Sequence, residues 1–185
     1  VMDELNRKRF ERELKAKMEP AQLSATLIAA GLFLVAYELL KAEVVGKTRS
    51  FFISGADATG FKYSARYATE VLALDRDRFK ASCFWLLRQG AFTDADVDAA
   101  TKIRAHRHAI AHELPKFLVD PDASVDIRLV SEARRLITVL GRFWGGIVIA
   151  GDDQFDGQEI RDDEIESGSM LLMAHILSIV GMNDT

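Results

Sequence analysis

Three of the four histidines in this 185-residue chain, His106, His108 and His112, fall within seven consecutive positions, with Arg107 among them and Arg104 just ahead. Lys102 and Lys116 flank the group, and no other stretch gathers imidazoles with guanidinium groups. An imidazole takes or gives a proton near neutral pH, and a guanidinium holds phosphoryl oxygens through a fixed fork of N–H donors. That combination suits cleavage of a phosphodiester in RNA, which needs a base for the 2'-hydroxyl proton and a cation for charge building on the phosphoryl oxygens. A histidine beside arginines is harder to protonate, which favours its neutral, basic form. One copy of the motif lacks an acid for the leaving oxygen. A symmetric dimer would bring two motifs together and let one histidine act as base and the other as acid.

The same residues admit plainer roles. Histidines near a helix end bond the terminal carbonyls and arginines there favour the helix dipole, a reading that suits His106 best. His108 and His112 have the i, i+4 spacing of metal ligands, and His106 adds a third nitrogen. The acid at Glu113, however, is not in the position that follows the first histidine of an H-E-x-x-H site. No metal or other cofactor is therefore expected. His175, in an apolar run, reads as a core or interface histidine. Phe84, Trp85, Phe143 and Trp144 read as core or dimer packing in preference to base-stacking platforms. Gly141-Arg-Phe-Trp-Gly-Gly146 lies in an apolar helix and reads as close helix packing. A glycine-rich phosphate loop, a paired acidic metal site and a Ser-His-Asp order are all missing from the sequence.

Helical periodicity dominates and strand alternation is scarce, so the elements that position these residues should form an all-α bundle of about six or seven helices. The motif helix opens at Thr93, an N-cap candidate with Asp96 three positions on, and nothing breaks it before Pro115. On an ideal helix Arg104, His108 and His112 lie within roughly 80° of arc, while Arg107 stands about 140° from His112. A site that uses both Arg107 and His112 then needs a bent helix end or completion across a dimer. Before the motif the sequence predicts a charged helix over 3–18 with sparse apolar points at Leu5, Leu14 and Met18. Pro20 interrupts or restarts it, and a long apolar helix follows over 21–46. The stretch 46–60 reads as a loop pinned by Phe51, Phe52 and Ile53. Tyr63, Tyr67, Val71 and Leu74 make a helical stripe, and a further helix runs over 76–88 to a stop near Gly90. After the motif come a loop with Pro121, a helix over 124–149, an acidic loop and an apolar helix over 161–181. No repeat is visible at 20 to 50 residues.

Length and composition point to a single domain over 1–185, with 49% hydrophobic and 28% charged residues and three prolines. Twenty-four basic against 28 acidic side chains give a formal net charge of −4, so any nucleic-acid surface has to be local. The acid collects in Asp152 to Glu166, read as a solvated loop. The one cysteine, Cys83, excludes an internal disulfide framework and suits a reducing compartment, with a buried helical thiol as its role. Pro20 to Tyr37 carries no charge from Ala21 to Tyr37 and has borderline length for a membrane span. Gln22, Ser24 and Thr26 and the absence of a cleaved-signal layout favour a helix buried in a bundle or dimer, in a cytoplasmic protein without a membrane partner. Val1 ahead of Met2 reads as a trimmed-tag remnant.

Arg107-His108-Ala109-Ile110-Ala111-His112 resembles the signature of the HEPN family, an arginine, a polar residue, a short spacer and a histidine. The setting is similar too, with apolar helices before and after, Trp85-Leu-Leu87 upstream and Glu113-Leu-Pro115 closing the motif helix. The resemblance implies a helical bundle that dimerises with its motifs facing each other, and metal-free RNase activity leaving a cyclic phosphate. It also implies roles: Arg107 holds phosphate, His108 orients and His112 is the general base, while helical geometry adds Arg104, with Lys102 and Lys116, as further phosphate contacts. Many members of that family act as toxins or in antiviral defence, and several are restrained by a nucleotidyltransferase antitoxin. A non-catalytic module that binds RNA or a protein through the same basic face is the alternative.

Overall fold

Pro20 lacks an N–H and has its φ preset, so it fits the first turn of a helix and starts one. In the computed structural model, which describes residues 4–155 and 158–180, α1 (Glu4–Lys17) gives way there to α2 (Pro20–Lys41). The exposed α1 is laced by Lys8–Glu4, Arg7–Glu11 and Arg9–Glu13 ion pairs at i, i+4 spacing. Its last residue, Lys17, donates from Nζ to the backbone carbonyls of Asp120 and Ala123, fixing the helix end to the rest of the fold.

The apolar helix runs on from α2 through a π-helical turn, Ala42–Lys47, into the short α3 (Thr48–Phe51). From Pro20 to Phe51 it is long and apolar enough to cross a membrane by length and composition. Phe33, Ala36, Tyr37 and Leu40 are buried on one face, whereas Leu27, Ile28 and Val35 are exposed on another. A hairpin follows, β1 (Ile53–Asp57) paired antiparallel with β2 (Gly60–Tyr63). Gly60 takes φ +118° at the turn, where Asp57 Oδ1 accepts from the Thr59 amide at 2.9 Å. This corrects the loop expected over 46–60 and removes Tyr63 from the helical stripe expected over 63–74. Only Tyr67–Leu72 is helical there, as a second π turn with Tyr67 and Val71 buried. Of the three residues expected to pin the segment, Phe52 is buried, while Phe51 and Ile53 are exposed.

Asp77 caps α4 (Arg78–Arg88) by accepting from the Lys80 amide at 3.0 Å, and Gly90 supplies the positive φ beyond the helix end. α5 (Asp94–Val119) carries the motif, and α6 (Arg128–Ala150) and α7 (Gly168–Ile179) complete seven α-helices among the described residues. The chain is an all-α bundle with one small hairpin. α2, α5 and α6 pack on one another, α4 lies on α5 and the first π turn, and α7 lies on α6 and α2. The core runs through Phe33, Leu40, Leu86, Ile103, Ile110, Leu136 and Leu140, all almost wholly buried. Trp85 and Trp144 stack with centroids 6.2 Å apart, and Trp144 Nε1 donates to the Glu43 carbonyl at 3.2 Å, so the two tryptophans serve packing. Cys83 is buried, and burial pushes its thiol up to about 12.

α6 starts at Arg128, later than expected, because the Asp126 side chain accepts from the Arg128 amide at 3.1 Å and holds a turn there. α7 likewise starts at Gly168: residues 162–164 form a 3-10 turn, and Ser167 caps the helix by accepting from Met170 N at 3.3 Å. The expected end near 181 and the remnant at Val1 lie outside the described residues.

Candidate functional site

The motif's position is fixed from the N-terminus of its helix. Thr93 and Asp96 form a capping box, with Thr93 N donating to Asp96 Oδ2 at 2.8 Å and Asp96 N to Thr93 Oγ1 at 3.3 Å. Arg135 on α6 reaches Asp96 Oδ1 at 2.7 Å, tying the start of α5 to its neighbour. Burial pushes the Asp96 carboxyl up, but Thr93 and then Arg135 outweigh it and hold the group below the usual carboxylate range. Ile103 and Ile110 are buried on the side of α5 opposite His108 and His112 and thereby set which residues face outward.

His108 and His112 are both exposed, one turn apart on that outward face, with ring centroids 4.2 Å apart and planes inclined at 53°. The expected pairing of these two imidazoles is therefore present. Arg104 does not join them. Its guanidinium turns to α4, where it bonds Asp77 Oδ2 at 2.5 Å and lies over the Phe79 ring. Burial pushes Asp77 up, yet the Lys80 amide and Arg104 together bring its carboxyl below the ordinary range.

Arg107 turns to α2. One guanidinium nitrogen lies 3.4 Å from Glu38 Oε1, the group sits over the Tyr37 ring, and Nε is buried without a hydrogen-bond partner. The wide angle between Arg107 and His112 thus persists in the folded chain. The helix does bend, at Glu113 with φ −124° and ψ 24°, because Pro115 cannot donate to the carbonyl four residues back. That bend lies beyond His112, so it does not swing the histidine toward Arg107, and α5 continues past Pro115 to Val119. Lys102 is exposed, and Lys116 lies 3.4 Å from Glu113.

His106 is a structural residue, though not through helix-end carbonyls. Its Nε2 accepts from the Asp126 amide at 3.0 Å, and the ring meets Phe33 and Phe117 edge-on. Burial lowers its pKa, against a smaller opposing pull from Asp126. His175 is exposed on α7 beside Leu171 and Leu172, so within this chain it is not a core residue. Among the described residues no group of three or more His, Cys, Asp or Glu side chains is arranged to hold a metal.

Glu38, Tyr37 and Asp77 are the residues that sequence reasoning missed. Asp77 carried a legible signal as a helix N-cap. Glu38 lies 69 positions from Arg107, and only the packing of α2 on α5 brings them together. Comparison with protein-family models, with curated proteins and with solved structures finds no match to this chain.

Proposed function

We propose that this protein is a metal-independent endoribonuclease of the HEPN type, working as a homodimer, with His112 as general base, His108 beside it and Arg107 as the phosphate-holding cation. What carries the reading is the exposed pair His108 and His112, rings 4.2 Å apart, on the turn of α5 that also bears Arg107. In the reaction the 2'-oxygen attacks phosphorus as His112 takes its proton, the bond to the 5'-oxygen breaks, and that oxygen receives a proton from a histidine of the facing copy. Arg107 neutralises the charge gathered on the phosphoryl oxygens, with Lys102 and Lys116 extending the basic surface along the strand and Arg104 joining them on leaving Asp77. The products are a 2',3'-cyclic phosphate and a 5'-hydroxyl. Analysis of the fragment ends tests this: a cyclic phosphate supports it, and a 5'-phosphate contradicts it. The proposed setting is cytoplasmic, in a toxin or antiviral role, with a nucleotidyltransferase as the restraining partner.

A second reading has its own support. Arg104 and Arg107 each face a carboxylate, and Arg107 points away from His112. A module that binds RNA or a protein through this face without cutting needs no convergence of the two residues. RNA binding that survives His112→Ala with no turnover by either protein would favour it.

A further inference from the structure

The two exposed imidazoles of α5 have a property that does not depend on RNA. We propose that His108 and His112 together chelate one late first-row divalent ion, of the Zn2+, Ni2+ or Cu2+ class.

Their spacing of four residues stacks them on one helix face, and their centroids are 4.2 Å apart. An ion bound to both rings at about 2.0–2.1 Å per nitrogen holds the centroids on the order of 5 Å apart. Small rotations of two solvent-exposed side chains supply the difference without moving the backbone. His106 is committed elsewhere, its Nε2 accepting the Asp126 amide, so it does not complete a three-histidine set. Water or another small ligand takes the remaining coordination positions. Imidazole ligands select zinc, nickel and copper over magnesium and calcium, which prefer oxygen. The nearest carboxylate in sequence, Glu113, lies beyond the helical stretch that aligns the two rings and faces Lys116 at 3.4 Å.

A consequence rests on the proposed cleavage reaction: an ion held between the rings occupies the lone pair that His112 uses as a base, so these metals inhibit and a chelator restores activity. Binding itself is read without RNA. Isothermal titration calorimetry of the full chain with ZnCl2 and with NiCl2, alongside melting curves with and without the ion, is the experiment.

The unmutated protein should bind one ion per chain, or one per two chains if facing copies share it, and should melt at a higher temperature with metal present. His108→Ala and His112→Ala should each weaken binding at least ten-fold and lose the thermal shift, while His175→Ala leaves both unchanged. No binding at millimolar ion, or affinity within two-fold of the unmutated protein in either single variant, overturns the proposal. If calorimetry shows chelation and no RNA is cut, the cleavage reading fails and the metal site stands.

Discussion

In the proposed reaction Glu38 and an incoming phosphate would compete for the Arg107 guanidinium. The Arg107–Glu38 contact is 3.4 Å long and half-exposed, a pair worth about 0–1 kcal/mol, so a phosphate that accepts two N–H bonds can displace it. Glu38→Gln should therefore tighten binding of a short RNA about two- to five-fold, on the scale of that same lost pair. Fluorescence anisotropy would read it, and weaker binding by the variant would show that Glu38 supports the site instead of occupying its cation. His106 gives a prediction in pH. Its pKa is lowered in the fold from an ordinary 6.5, so the unfolded chain takes up its proton first on acidification. The stability it contributes is present above about 6.5 and is lost as pH falls from there toward the lower folded value. Unfolding midpoints should drop across that window, and His106→Gln, which keeps an acceptor for the Asp126 amide, should flatten the drop. The carboxylates of Asp77, Asp96 and Asp126 are lowered from 3.8, so their contribution is lost only at more acid pH. An unchanged acid limb in the variant would contradict this role. The cluster itself was legible because three of only four histidines fall within seven positions; the partners were not, because Glu38 is one of many surface acids until the helices pack.

The elements that hold α5 in place depend on how closely α6 and the segment before α7 approach. A Cβ at Gly145 would lie 2.3 Å from Ile165 Cγ2, whereas one at Gly146 would meet nothing within 4 Å. Ile165 is buried at that notch, so Gly145→Ala forces it out and should cost about 1–3 kcal/mol. Gly146→Ala, in the same helix, should instead stabilise by about 0.5–1 kcal/mol through helix propensity. Denaturant titrations of the pair check both signs, and equal effects would show that the notch is not tight. Close packing was readable in the sequence at Gly141 and Gly145, though not at Gly146, which faces open space, and so were the cap at Thr93 and the start at Pro20. The hairpin was not. Its β1 residues are all exposed, so burial imposed no alternation of apolar and polar residues to read. The π turns were equally hidden, since a sequence pattern averaged at 3.6 residues per turn does not mark one wide turn.

In the whole molecule one chain keeps Arg107 on the α2 side of α5 and His112 on the outward face, so the proposed reaction requires two chains for one centre. Complementation tests this. Arg107→Ala and His112→Ala, each inactive alone, should recover about a quarter of the unmutated activity when mixed and allowed to exchange, since half the dimers are mixed and each holds one centre with His112 of one copy and Arg107 and the acid, His108, of the other all intact. No recovery, despite exchange shown by a tagged copy, would place both residues in a single-chain site or outside the reaction. The bundle class was legible from periodicity, but the divergence of Arg107 and His112 became a structural fact only when the Pro115 bend fell one residue too late to cancel it. The most direct measurement is cleavage of a defined RNA in EDTA by the purified protein and by His112→Ala, with the 2'-deoxy strand as the parallel substrate. On the proposed mechanism RNA alone is cut, and only by the unmutated protein. Cutting of the deoxy strand, equal cutting by His112→Ala, or no cutting of several structured RNAs would contradict it.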